Sequence, residues 1–131
     1  RGMKLSAFEV AAASQVRTRW LQTLLRFAES YDFWALPTAQ LFAFPVETRW
    51  PGEVAGTPMR SYHEWMKCVT PGTMSGNPVI AVPAGFDERG RAMGVQIAGR
   101  DRGELDLLKL AHGYDLATRW PDRRPPPALA E

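Results

Sequence analysis

The sequence predicts an α/β fold, a small β-sheet with helices packed on it. Three observations carry that reading. Apolar residues recur at spacings of three and four near both ends of the chain, Val10 to Ala28 and Leu107 to Ala117. Two short apolar runs, 33–36 and 79–82, are each closed by a proline. Met93, Val95 and Ile97 alternate with Gly94, Gln96 and Ala98, the period of a strand with one apolar face and one small or polar face.

In chain order, Ser6-Ala7-Phe8-Glu9 reads as a capping box that opens a helix. Its apolar stripe, with Val10, Ala13, Trp20, Leu21, Leu24, Phe27 and Ala28, carries it to about Ser30, with a break near Ser14. "YDFWALP" supplies a buried strand over 33–36. Residues 38–59 show no period and hold three prolines, Pro45, Pro51 and Pro58, so a long loop is expected. "MRSYHEWMKCV" gives a short helix over 59–69. Gly76-Asn77-Pro78 is turn chemistry, and Val79 to Val82 is a strand stopped by Pro83. Asp87 and Gly90 occupy the first and fourth places of a type I turn, which joins that strand to 93–98 as an antiparallel hairpin. Gly94 and Ala98 share a face and are expected where a neighbouring element comes close. Asp101 is read as the N-cap, with Glu104 at N3, of a last helix over 102–119 that ends at Trp120-Pro121. The two long helices are expected to cover one sheet face between them. Residues 121–131, "PDRRPPPALAE", read as an extended proline-rich tail.

Composition narrows the function. The chain has 131 residues, 45% hydrophobic and 23% charged, the size and make-up of one globular domain. Net charge is +2 and the arginines are scattered, which argues against a nucleic-acid partner. The single cysteine, Cys68, gives no disulfide, and no apolar run approaches membrane length, so no membrane partner and a cytoplasmic location are expected. The chain begins at Arg1, and further sequence before it is expected.

Every catalytic motif in the chain is incomplete. Thr73 and Asn77 stand where a Gly-x-Ser-x-Gly elbow around Ser75 needs glycines. No serine has a lysine three residues on. His63-Glu64 opens like a zinc helix, but Lys67 stands in the ligand's place, so neither a metal nor a cofactor is expected. Cys68 reads as a buried structural thiol.

At "TPGTMSGNPVIAVPAGFDERGRAMGVQIAGR" the chain resembles the C-terminal part of amidase signature enzymes. The matching pieces are Thr70 to Pro78, a strand ending Pro-x-Gly-Phe over Val79 to Phe86, the Gly-x-Gln segment Gly94 to Gln96, and Leu107-Leu108. Upstream, "YDFWALPT" is similar to the family's Asp–strand–Pro–Thr segment, and the likeness covers about residues 15 to 126. Many members have asparagine where this chain has Thr73.

The resemblance implies a mixed β-sheet flanked by helices, of which residues 1–131 are the C-terminal segment of one larger domain. It implies carboxamide hydrolysis through an acyl-enzyme, with a Ser–Ser–Lys triad in the family's N-terminal half. No triad residue carries over, since Lys4, Lys67 and Lys109 all stand in unlike contexts. This chain alone is then expected to be inactive, supplying scaffold and one wall of the pocket from 38–50 and 65–75. Phe42, Phe44, Trp50, Trp65, Thr73 and Ser75 are the pocket candidates. The expected partners are a small amide substrate and either the missing N-terminal half or a second copy. Two rivals stand beside the hydrolase: the A-type chain of an amidotransferase, and a non-catalytic binding or scaffold module derived from the fold.

Overall fold

A computed structural model describes residues 4–124. The first helix, α1 (Ala7–Phe27), opens on the capping box that its sequence announces. The Ser6 hydroxyl accepts from the Glu9 backbone N–H at 3.3 Å, and the Glu9 carboxylate accepts from the Ser6 backbone N–H at 2.7 Å. The Ser6 backbone N–H, and after it the Ser6 hydroxyl, hold the Glu9 carboxyl below its ordinary range. The helix runs unbroken through Ser14, whose carbonyl accepts from the Thr18 hydroxyl without interrupting it. It ends at Phe27, and Ala28 to Ser30 form a turn rather than a last helical step.

Strand β1 (Trp34–Pro37) lies one residue later than the apolar run suggests. Within the expected loop sits a small hairpin, β2 (Glu53–Val54) with β3 (Thr57–Pro58). Its two turn residues, Ala55 and Gly56, both have positive φ, 48° and 77°, as a two-residue hairpin turn requires. Ala-Gly is a weak signal for that turn beside Asn-Gly, which is why the hairpin is hard to read. Helix α2 (Tyr62–Trp65) is a single turn capped by Ser61, far shorter than 59–69. Helix α3 (Thr70–Ser75) follows it and leads straight into the Gly76 turn. Pro71 is compatible with a first helical turn, and Gly76 at φ 75° closes it.

Strand β4 (Val79–Phe86) continues through Pro83 instead of stopping there. The sheet order is β1, then β5 (Ala92–Ala98), then β4, all antiparallel. Strand β4 is therefore at an edge, where a missing N–H does not interrupt a ladder. The ladder slips between Pro83, opposite Gly94, and Gly85, opposite Met93. The turn between β4 and β5 forms as expected, with the Gly90 N–H on the Asp87 carbonyl at 2.8 Å. The Asp87 carboxylate accepts from the Arg89 and Arg91 backbone N–H groups and pairs with the Arg91 guanidinium at 2.7 Å. Desolvation raises the pKa of this carboxyl, but the bonds and charge of Arg91, with the Arg89 N–H, outweigh it and leave the pKa lowered.

Helix α4 (Glu104–Thr118) has Gly103, not Asp101, at its N-cap, and no side chain caps it. A turn from Arg100 to Gly103, with Arg102 at φ 56°, uses up the residues between. Arg119 ends α4 in the left-handed region, one residue before Trp120-Pro121, and a further turn, α5 (Trp120–Arg123), follows. The start of the expected tail is thus helical, and residues 125–131 lie outside the described residues.

The alternation along β5 sorts the packing. Val82, Ile97, Leu107 and Ala111 form the core on one sheet face, joined by Phe33, Ile80, Val95 and Tyr114, so α4 covers that face. On the other face Gln96 and Ala98 are buried beneath α3, and α1 packs on α3. The Trp20 indole donates to the Pro71 carbonyl at 3.0 Å and meets Trp34 edge-on at 6.4 Å. The two long helices therefore lie on opposite faces, not together on one. Gly72 of α3 allows the approach, since a methyl group there would stand 3.0 Å from the Gln96 side chain.

Candidate functional site

The two candidate walls, 38–50 and 65–75, start from opposite sides of the buried Gln96 stripe. The first leaves β1 at Thr38, whose backbone N–H and hydroxyl both donate to the Gly94 carbonyl at 3.0 Å. The second is the irregular stretch from the end of α2 through α3. Side-chain amides tie one to the other. The Gln40 carboxamide donates to the Glu64 carbonyl at 3.1 Å and to the Trp65 carbonyl, and the Gln96 carboxamide donates to the carbonyls of Pro37 and Cys68 at 2.8 and 3.0 Å.

Of the pocket candidates, the structure brings Phe44 and Trp65 together. Their rings meet edge-on at 5.5 Å, with Trp65 buried. Phe42 lies under the Arg91 guanidinium at 5.4 Å, and Arg91 also donates to the Ala43 carbonyl. Trp50 stands apart, its indole on the Met59 carbonyl at 3.3 Å and Arg49 over its ring. Thr73 and Ser75 belong to α3. The Thr73 hydroxyl donates to the Val69 carbonyl. Ser75 is buried, donating to the Gly72 carbonyl at 2.6 Å and accepting from the Asn77 backbone N–H at 3.0 Å. Both functions of that hydroxyl serve the α3 terminus, and no described lysine or histidine is bonded to it.

Other reactive groups are equally settled. Lys109 pairs with Asp106 at 3.1 Å. Burial pushes the Cys68 thiol up, away from the reactive thiolate. Among the described residues no cluster of three His, Cys, Asp or Glu side chains stands ready for a metal ion. Several clefts are present among the described residues. One of about 470 Å³ lies between Asp32, Arg100, Asp106 and Lys109, and one of about 410 Å³ runs between α1 and α3, lined by Val16, Arg17, Trp20, Lys67, Pro71 and Met74. Neither is lined by Phe42, Phe44, Trp50 or Trp65. The bonding of Gln40 and Gln96 is not legible in the sequence. The polar residue in the small stripe of β5 is the available signal, but a strand period does not say what lies opposite it.

The chain belongs to the amidase family, whose model, described as Amidase, matches residues 2–108. It is 32% identical over 127 residues to an acylamidase of Rhodococcus erythropolis, covering 96% of this chain and 26% of that protein. It is 35% identical over 113 residues to the A-type chain of the glutamyl-tRNA(Gln) amidotransferase of Brevibacillus brevis, covering 86% of this chain and 22% of that one. Among solved structures it superposes on a bacterial aryl acylamidase of the amidase signature family with a TM-score of 0.78 at 22% identity, over 91% of this chain and 25% of the other. A 6-aminohexanoate cyclic dimer hydrolase gives 0.69 at 25% identity, over 93% of this chain and 27% of the other. The chain thus spans about a quarter of the length of the curated relatives it matches. No helix among the described residues is long and apolar enough to cross a membrane.

Proposed function

We propose that this chain is the C-terminal segment of a single larger amidase domain that hydrolyses carboxamide C–N bonds. The observation that carries the reading is the family match over residues 2–108, made by a chain in which no described serine is bonded to a lysine. The nucleophile then comes from sequence outside these 131 residues. A serine there, its proton relayed to a lysine through a second serine, attacks the amide carbon. Backbone N–H groups hold the oxyanion, the C–N bond breaks as the amine leaves protonated, and water releases the acid from the acyl-enzyme. This segment contributes scaffold and part of the pocket wall, with Phe42, Phe44, Trp50, Trp65, Thr73 and Ser75 as its candidates. By itself it is inactive, and it works in the cytoplasm joined to its N-terminal half; without that half it self-associates.

Hydroxylamine trapping tests the proposal. The full-length protein, given a panel of aliphatic and aromatic amides with hydroxylamine, should release hydroxamates as the acyl-enzyme is intercepted. Neither hydroxamate nor ammonia from any amide of the panel would reject it. The 35% identity to one chain of an amidotransferase favours a second reading, in which the ammonia passes to a partner's substrate. Glutamine hydrolysis that rises sharply on adding a co-purifying partner protein would select that reading.

A further inference from the structure

We propose that Gln96 is a positioning residue that fixes the spacing between the two candidate walls and thereby the size of acyl group accepted. The inference rests on the reading above that 38–50 and 65–75 border the substrate. Gln96 is 6% exposed, at the centre of the middle strand. A carboxamide NH2 has two hydrogens to donate, and here one goes to the end of β1, where the first wall begins, and one to the second wall. Pro37, whose carbonyl takes the first, is the last residue before 38–50, and Cys68, whose carbonyl takes the second, lies within 65–75.

The Cys68 carbonyl falls between the short helices α2 and α3, and the Gln96 amide is the donor it meets. Gln40 repeats the device from the first wall, on the carbonyls of Glu64 and Trp65. Gly72 makes room for Gln96: a methyl group there would stand 3.0 Å from its Oε1. The helical and turn bonds of 64–70 stay within that stretch and its neighbours in sequence, and the Gln96 amide ties it to β5.

The test uses Gln96→Met, which keeps the volume and removes the donor, in the full-length protein. Leu107→Ala, in the core on the opposite sheet face, is the control for lost stability. Alkylation of Cys68 in the native protein, followed by the mass of its peptide, reports release of the second wall. It should speed up about tenfold in Gln96→Met and stay near wild type in Leu107→Ala. The KM ratio between bulky and small acyl amides should shift about fivefold in Gln96→Met, with kcat on the small amide nearly unchanged. If Gln96→Met does not fold, Gln96→Asn, which keeps the amide but is one methylene short, should give the same changes in smaller measure. Labelling no faster than in Leu107→Ala would overturn the positioning role, and an unmoved KM ratio would overturn the link to substrate size. A wild-type protein that turns over no amide rejects the amidase reading instead, and the labelling result still decides the role of Gln96.

Discussion

A methyl group on Gly94 would stand 2.9 Å from the Thr38 hydroxyl and 3.2 Å from the Val82 carbonyl. The second neighbour is backbone and cannot swing away. Gly94→Val should therefore cost on the order of 1–3 kcal/mol by overpacking, read as a lower melting temperature. A melt like wild type would mean that this face yields. Gly90, at the hairpin tip, would be mild to replace if it were extended, but its φ is 74°. Gly90→Val should then cost about 1–2 kcal/mol through backbone strain, although the near neighbour there is the flexible Arg124 guanidinium. At this scale the sequence is informative where a residue's smallness is its role. Gly94 and Ala98 announce a close approach, and Ala98 is 1% exposed. It is silent where a role depends on what lies opposite, as for Gln96, or for Ser75, whose hydroxyl is absorbed by its own helix end.

Among the elements, α1 has strong local signals and thin anchorage for its length. Its capping box is complete, yet Leu24 is its single buried residue, and Phe8, Val16 and Leu25 are more than half exposed. The hydrogen bond of Trp20 to Pro71 and its edge contact with Trp34 are the main ties. Amide exchange should accordingly be faster in α1 than in β5, and Trp20→Phe, which removes the hydrogen bond, should speed it further without changing β5. Exchange in α1 as slow as in β5 would show that something else holds it. The hairpin of β4 and β5 and both long helices are legible because period and turn chemistry agree there. Local rules fail where tertiary placement outranks them. Pro83 does not end β4 because the strand is at an edge, and Asp101 does not cap α4 because a turn from Arg100 to Gly103 intervenes.

Across the whole molecule, burial is thin for a chain of this length. No large side chain among the described residues is fully buried, while Leu105, Leu108 and Leu116 of α4 and Phe8 and Leu25 of α1 are exposed by 55% or more. Strands β1 and β4 each leave one edge unpaired among the described residues. Free edges beside exposed apolar helix faces favour association. The apparent molar mass of the 131-residue chain by light scattering should rise with concentration, and a hydrophobic dye should bind. A concentration-independent monomer with a sharp melt and no dye binding would favour a free-standing module. Family membership is legible because the order of several weak segments survives along the chain. The pocket is not, since its candidates fall into separate contacts and the period of one strand cannot show what faces it. The proposed function has these 131 residues brace a nucleophile supplied from elsewhere. Its most direct test is amide turnover by the purified chain, beside its Ser75→Ala variant, on simple aliphatic and aromatic amides. No turnover is expected from either. Turnover that persists through repurification would contradict the claim, and its loss in Ser75→Ala would make the glycine-rich segment itself catalytic.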